Sequence, residues 1–500
     1  MSSARSKQWH LGGPAGLREW PRAPSRSQAL WVAVAAVLIA LLALLARRYG
    51  LVALAIPPLL AAVVLIATRP ALAVAMPIVY AIVVEQSTPN VLGFYDSQIH
   101  DPLPGHLTPI ELMTLLAVLA VVLDALRRER MPLGPRHFGL PLALIAAACL
   151  VGCVVGRADG GSWKTISEQL RLVAPLLVMP WLVVNVIRDT AALRRALGWL
   201  AALIVFKAFG GILGVLTGAG EQLGGTFGNT VISYYEATTN WLSLGYLLAL
   251  VAAFASGIRT PRWTRWGGVI VLLSLILSYR RSFWLAAIAS APAVFVVCSG
   301  RTQRRLILPA LAILAGALWI SISSGLLAET QGPLAKRVQS LSPSSLQANV
   351  EDRYRLDERH NVLADLDEAP LTGLGFGVPW TQRYPLGVQY EGGQQYVHMA
   401  VLWWWMKMGL LGLIAYLALL ACIVWQGIRV WRAHGDPTVR LGAIAIAGAT
   451  LGLAVAEATA SFTGVDPRLT PLAGALVGLL AAARLEGSSR AAENLDTMSR

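Results

Sequence analysis

Two stretches decide the reading: EDRYRLDERHNVLADLDEAPLTGLGFG, residues 351–377, and HMAVLWWWMKMGLLG, residues 398–412. The first is charged and water-seeking up to Ala369, then turns on Gly373, Gly375 and Gly377. The second opens on a lone histidine, His398, and runs straight into an apolar segment. Leu356, Val362, Leu363 and Leu366 recur at helical spacing, which predicts a short amphipathic helix over residues 351–368. Pro370 and the glycines after it end that helix.

Almost everything outside these stretches reads as membrane. Hydrophobic residues make up 56% of the chain, charged residues 14%, and the mean hydropathy is +0.60. Soluble domains carry about 25% charged residues. Apolar segments of spanning length recur along the whole chain, and roughly twelve to fourteen fit the ~20 residues a spanning helix needs. The organisation expected is a basic tail at 1–28, spanning helices over 29–327, a large loop at 328–397, further spanning helices over 398–484 and a tail at 485–500. The loop is too short to bury a core of its own comfortably and is expected to cap the membrane helices. No cleavable leader is read at the N-terminus, because Arg47 and Arg48 follow the first apolar run where a small-residue cleavage site would stand.

The net charge of +14 invites a nucleic-acid reading. Its distribution argues otherwise. Arginines gather in alternate short gaps, such as Arg127, Arg128 and Arg130, Arg301, Arg304 and Arg305, or Arg429 and Arg432. The opposite loops at 89–107 and 218–237 hold no Lys or Arg. That alternation is the positive-inside rule, and it puts both termini in the cytoplasm and the 328–397 loop outside. The Arg47–Arg48 hairpin breaks the pattern.

Few residues on the outer side can carry chemistry. Arg280 and Arg281 sit between two apolar runs; they are either snorkelling helix-end arginines or a fork for a phosphate. Arg353, Arg355 and Arg359 share the loop helix with many acids, as solvated ion pairs or as ligand contacts. His398 has no His or Cys neighbour and reads as structural or as a proton carrier. His100, Asp101 and His106 share an outer loop without a recognised metal spacing, and Cys149, Cys153, Cys298 and Cys422 lie in apolar segments as inert thiols. Lys207, Lys407 and Glu457 fall inside spans, where ionisable groups default to function. Arg171 and Glu457 lie near outer helix ends and are candidates to line the same cavity.

Three features together resemble the O-antigen ligase and polymerase superfamily of bacterial envelope enzymes. His398-Met399, nine residues, Gly409, two residues and Gly412 are similar to the ligase signature His-(Asn/Ser/Gln)-x9-Gly-x2-Gly, with Met399 in place of the polar residue. Arg355 followed by Pro370-Leu371-Thr372-Gly373-Leu374-Gly375 resembles the Arg-led loop helix ending in Pro-Leu-x-Gly-x-Gly, with Arg359 where an aromatic is common. Arg281-Ser282-Phe283-Trp284 resembles the arginine step between two spans, and Gly225-Thr226-Phe227-Gly228-Asn229 is similar to a Gly-Thr-Phe element. The features keep the family's order over residues 220–425.

The resemblance implies an all-α polytopic membrane protein whose one large periplasmic loop contains short helices. It implies a bacterial inner-membrane location with a periplasmic site. It implies glycan transfer from undecaprenyl diphosphate to an acceptor hydroxyl, inverting, with no cofactor and no metal. The acceptor would be lipid A core, another glycan, or a protein. His398, Arg355 and Arg281 are then the catalytic residues, and Arg280, Arg353, Arg359, Arg171 and Gly375 the substrate contacts. Polymerase and protein oligosaccharyltransferase activities stay open within the superfamily. A flippase is the competing class; it predicts broken helices and midplane charges, for which Lys207 and Lys407 speak mildly.

Overall fold

The computed structural model describes residues 64, 68–85, 94–95, 107–223, 230–234, 236–307, 309, 337–338, 340, 350–386, 393–458 and 466–499. Most of the spans expected at 29–46, 51–67 and 305–325, the His100–His106 loop and the Gly225–Asn229 element lie outside them.

The described chain from residue 66 onward is all-α apart from two short strand pairs. Its helices are α1 (Pro70–Val83), α2 (Pro109–Arg127), α3 (Gly139–Ala158), α4 (Trp163–Val186), α5 (Thr190–Thr217), α6 (Ala237–Ser256), α7 (Arg262–Leu277), α8 (Arg281–Cys298), α9 (Val350–Glu368), α10 (Ala400–Ala433), α11 (Pro437–Glu457) and α12 (Leu469–Ser499). Among the described residues, nine helices are long and apolar enough to cross a membrane, and α1 is a shorter apolar helix. The protein is therefore an all-α, multi-pass membrane protein.

Local sequence fixes many of the ends. Thr108 and Glu111 form a reciprocal capping box with Pro109 at the first turn of α2. Asp189 and Asp436 accept the first free amides of α5 and α11. Leu115, Leu119, Val122 and Leu126 on α2, and Leu140, Leu150 and Val154 on α3, point outward. An apolar exterior is what lipid requires. The centre is occupied by α6, α11 and α12, whose apolar stretches are 67%, 67% and 83% buried against 28% for α2.

Close backbone approach holds the core together, as expected where lipid removes the hydrophobic drive between helices. A Cβ on Gly427 of α10 would lie 2.7 Å from Ala443 O of α11. On Gly452 of α11 it would lie 2.4 Å from Leu244 of α6 and 3.4 Å from Ala286 of α8. Tyr416 of α10 bonds Glu457 at the end of α11, and Gly448 meets Val294 of α8. These contacts run antiparallel, so the N-terminal ends of α6, α8 and α10 share one end of the bundle with the C-terminal end of α11.

At that end the interior holds buried charges. Arg468, 1% exposed, meets Glu236 at 2.8 Å and Asp466 at 2.9 Å and donates to Val84 O at 3.0 Å. Lys207 is buried too. Its Nζ donates to Val83 O at 3.2 Å and lies 4.5 Å from the centre of the Tyr234 ring. This interior ties α1, α5, α6 and the start of α12 to one another.

Candidate active site at the α9–α10 junction

The glycine motifs explain one another. The apolar segment after His398 was expected to run on into a spanning helix, but α10 breaks at Gly409, where φ is 65° and ψ −170°. That is left-handed backbone, open mainly to glycine. The break frees amide and carbonyl groups that a regular helix would consume. Leu410 N donates to Leu371 O at 3.1 Å, and Met406 O accepts from Leu374 N at 2.8 Å and Gly375 N at 3.2 Å. Trp405 Nε1 donates to Pro370 O at 2.7 Å. The Pro370–Gly377 turn is thus stitched into the helix break.

Gly375, expected at the substrate, is buried with φ 81°, and a Cβ there would lie 2.1 Å from Gly156 N of α3. Phe376 behind it is fully buried, with its amide on Gly152 O at 2.9 Å. This part of the loop inserts between helices where a surface cap was expected, because its glycines permit backbone-to-backbone contact.

Polar side chains fasten the segment that leads into His398. Gln169 Oε1 accepts Gly377 N at 2.8 Å, and its Nε2 donates to Gln395 Oε1 at 3.0 Å. Gln395 Nε2 donates to Gly377 O at 3.1 Å. Lys407, fully buried, donates to Val378 O at 2.6 Å and Gln395 Oε1 at 3.3 Å. Trp380 Nε1 donates to Tyr396 O at 2.8 Å.

His398 lies just ahead of α10, whose N-cap is Met399. Its Nδ1 is 3.0 and 3.1 Å from the two oxygens of Glu358, and its backbone N–H donates to Glu358 Oε2 at 2.8 Å. Tyr354 and Tyr396 stand edge-on to the imidazole, with centroids at 5.4 and 4.8 Å. Glu358 is 1% exposed and the His398 side chain 12%.

Glu358 comes from α9, whose start and end match the predicted loop helix. Its buried face is Tyr354, Glu358, Asn361, Val362, Asp365 and Leu366, so it is largely polar, and Leu356 is 44% exposed. The polar face has work to do. Asn361 Oδ1 accepts Arg383 N and Tyr384 N at 2.7 and 2.6 Å, and Asp365 accepts Thr381 N at 2.6 Å. Arg383 bonds Glu368 and Asp365, and the Glu368 hydrogen bond leads in raising its pKa.

Arg355 is half-buried on the same helix, three residues before Glu358, whereas Arg353 and Arg359 are exposed. Arg281 opens α8 at the same end of the bundle and donates to Ser340 O at 2.7 Å. Arg280 precedes it as the N-cap residue, after Tyr279, whose φ of 52° is left-handed. Arg337, 6% exposed, donates to Tyr279 O at 2.7 Å and so braces that turn. Arg171, on α4 two residues after Gln169, lies 3.5 Å from Glu111 of α2. Glu457 takes its bond from Tyr416.

Among the described residues no group of three or more His, Cys, Asp or Glu side chains gathers as a metal would require. Glu358, Tyr354, Tyr396 and Arg337 were not singled out from sequence. The spacing of three between Arg355 and Glu358 was the available signal, and it was hidden among seven acids between 351 and 368.

Residues 266–417 match a family model described as O-Antigen ligase. The matched segment runs from α7 into α10 and includes the arginine step, α9, the glycine loop, His398 and Gly409. No curated protein matches the chain. The match makes this segment, under half of the chain, similar to the O-antigen ligase family.

Proposed function

We propose that this multi-pass protein of the O-antigen ligase superfamily moves a glycan from undecaprenyl diphosphate to an acceptor hydroxyl, with lipid A core as the acceptor. The observation that carries this reading is the imidazole of His398, held at Nδ1 by the buried carboxylate of Glu358 on the same helix as Arg355. The acceptor oxygen attacks the anomeric carbon while Nε2 takes its proton. The bond from that carbon to the diphosphate oxygen breaks, and undecaprenyl diphosphate leaves with the electron pair. Attack from the side opposite the leaving group inverts the centre. Arg355 and Arg281, with Arg280 beside it, supply guanidinium forks that suit a diphosphate and offset charge as it develops. Arg353 and Arg359, exposed on α9, take outer contacts to the glycan. The step uses no metal and no nucleotide.

The location that fits is the bacterial inner membrane, with both termini cytoplasmic and the site periplasmic. The absence of Lys and Arg from residues 89–107 and 218–237 supports that orientation. The test is transfer by the purified, chelator-treated protein from undecaprenyl-diphosphate glycan to lipid A core, beside His398→Ala, Arg355→Ala and Arg281→Ala. Wild-type transfer lost in all three folded variants supports the reading. Joining of donor units to one another makes the protein a polymerase with the same site. No transfer with either acceptor, or full activity in the variants, overturns it.

A further inference from the structure

We infer that Tyr384 and His360 form a sugar subsite on the acceptor side of the reaction, where the pyranose that carries the attacking hydroxyl stacks. The side assigned to it rests on the glycan-transfer reading; the binding itself is measured without transfer.

Tyr384 is presented rather than packed. Its backbone is fixed by Asn361 of α9, which is 0% exposed. Asn361 Oδ1 accepts Tyr384 N at 2.6 Å and Arg383 N at 2.7 Å. Its Nδ2 donates to Tyr384 O at 3.1 Å and to Asp357 O at 3.0 Å. A buried amide thus uses its whole hydrogen-bonding capacity, mostly to hold one short turn. Yet Tyr384 is 53% exposed. Packing of the ring does not explain a turn held this firmly, because each of these bonds goes to backbone.

What the turn presents is amphipathic. The Tyr384 ring meets exposed His360 with centroids 6.1 Å apart and planes at 59°, so the two rings make a corner. Arg383, the preceding residue, reaches Glu368 at 2.5 Å and Asp365 at 3.0 Å, and the Glu368 side chain is 68% exposed. A pyranose has a C–H face and a rim of hydroxyls. Its weakly positive C–H bonds suit the negative face of an aromatic ring. Its hydroxyls can donate to Glu368 and accept from Arg383. A lipid chain would leave the charged pair unmatched, and an anion would meet Glu368.

Order along α9 selects the acceptor. Arg355, Glu358 and Asn361 follow one another at intervals of three residues, about 4.5 Å each along the helix axis. In the proposed transfer Arg355 serves the leaving diphosphate, and His398, held by Glu358, serves the acceptor hydroxyl. Inverting attack puts the acceptor on the far side of the anomeric carbon from the diphosphate. Tyr384, held by Asn361, is the next step in that direction.

The experiment compares purified full-length wild type, Tyr384→Ala, Tyr384→Phe and His360→Ala. Transfer from undecaprenyl-diphosphate glycan is measured while lipid A core is varied, and saturation-transfer NMR follows the core oligosaccharide released from its lipid. Tyr384→Ala should raise the acceptor KM at least about fivefold, with donor KM and kcat within about twofold and an unchanged melting temperature. Tyr384→Phe keeps the ring and should recover most of that loss, and His360→Ala should show a smaller rise. The oligosaccharide signal seen with wild type should fall in Tyr384→Ala. An acceptor KM within about twofold of wild type, with an equal NMR signal, overturns the inference and leaves Tyr384 as an interfacial tyrosine facing headgroups. A rise confined to donor KM overturns the acceptor assignment, and a lowered melting temperature in Tyr384→Ala marks a packing residue and overturns the subsite. No oligosaccharide signal with wild type overturns it as well. If wild type transfers nothing while the Tyr384-dependent NMR signal persists, the glycan-transfer reading falls and the sugar subsite stands.

Discussion

Glu236 and Glu358 are both buried carboxylates at the same end of the bundle, and they are used in opposite ways. Glu236 meets the guanidinium of Arg468, which Asp466 also holds. Glu358 meets an imidazole and a backbone amide. A guanidinium stays charged at any working pH, so the Arg468 cluster has one state and can only hold helices together. An imidazole can carry its hydrogen on either ring nitrogen, so the Glu358 pair is one that the proposed transfer can use. Burial of charge alone therefore does not distinguish the two regions; the chemistry of the partner does.

That contrast can be broken at several points. His398→Ala should carry the largest effect, a fall in kcat of about 100- to 10,000-fold with the unfolding midpoint unchanged. A large loss of stability instead would put His398 with the scaffold. Arg468→Ala should do the reverse: about 3–5 kcal/mol of stability lost, read from unfolding in detergent, because the buried Glu236 and the partly buried Asp466 are left without their cation. If stability holds and turnover collapses, the two regions have been assigned the wrong way round. Gly409→Ala should cost about 1–3 kcal/mol, since alanine disfavours φ of 65° and its Cβ would meet Leu371 O at 2.3 Å. It should lower kcat as well, because the same break supports the approach to His398; unchanged kcat would uncouple the loop from the site. Trp405→Phe removes only the bond to Pro370 O and should cost about 1 kcal/mol, measured by thermal shift, with little effect on rate.

The sequence made the spanning helices and many of their ends legible, because apolar length and capping residues act locally. Thr108, Pro109 and Glu111 announce α2, and the run from Val350 to Glu368 announces α9. The break at Gly409 was not readable, because glycine inside WWWMKMGLLG is equally compatible with a straight helix. Only the distant Leu371 and Leu374 make left-handed backbone favourable there. Glu358 was hidden for a related reason: seven acids lie between 351 and 368, and a partner 40 residues away selects one of them. Lys207 and Lys407 looked like chemistry because they lie inside spans. Carbonyl oxygens and, for Lys207, an aromatic face receive them. Arg468 attracted no notice: Asp466 stands two residues before it, but nothing local points to Glu236, far back in the chain.

The break in α10 also bears on how the protein is built. The helix has 34 residues, about 51 Å at 1.5 Å per residue. The bilayer hydrocarbon is only about 30 Å thick. The portion after Gly409 reaches about 36 Å and can span unaided. The portion before it, Ala400–Met408, adds about 14 Å at the end where His398 stands. One helix thus has length for both a span and a stem, with the glycine loop bonded at the boundary between them.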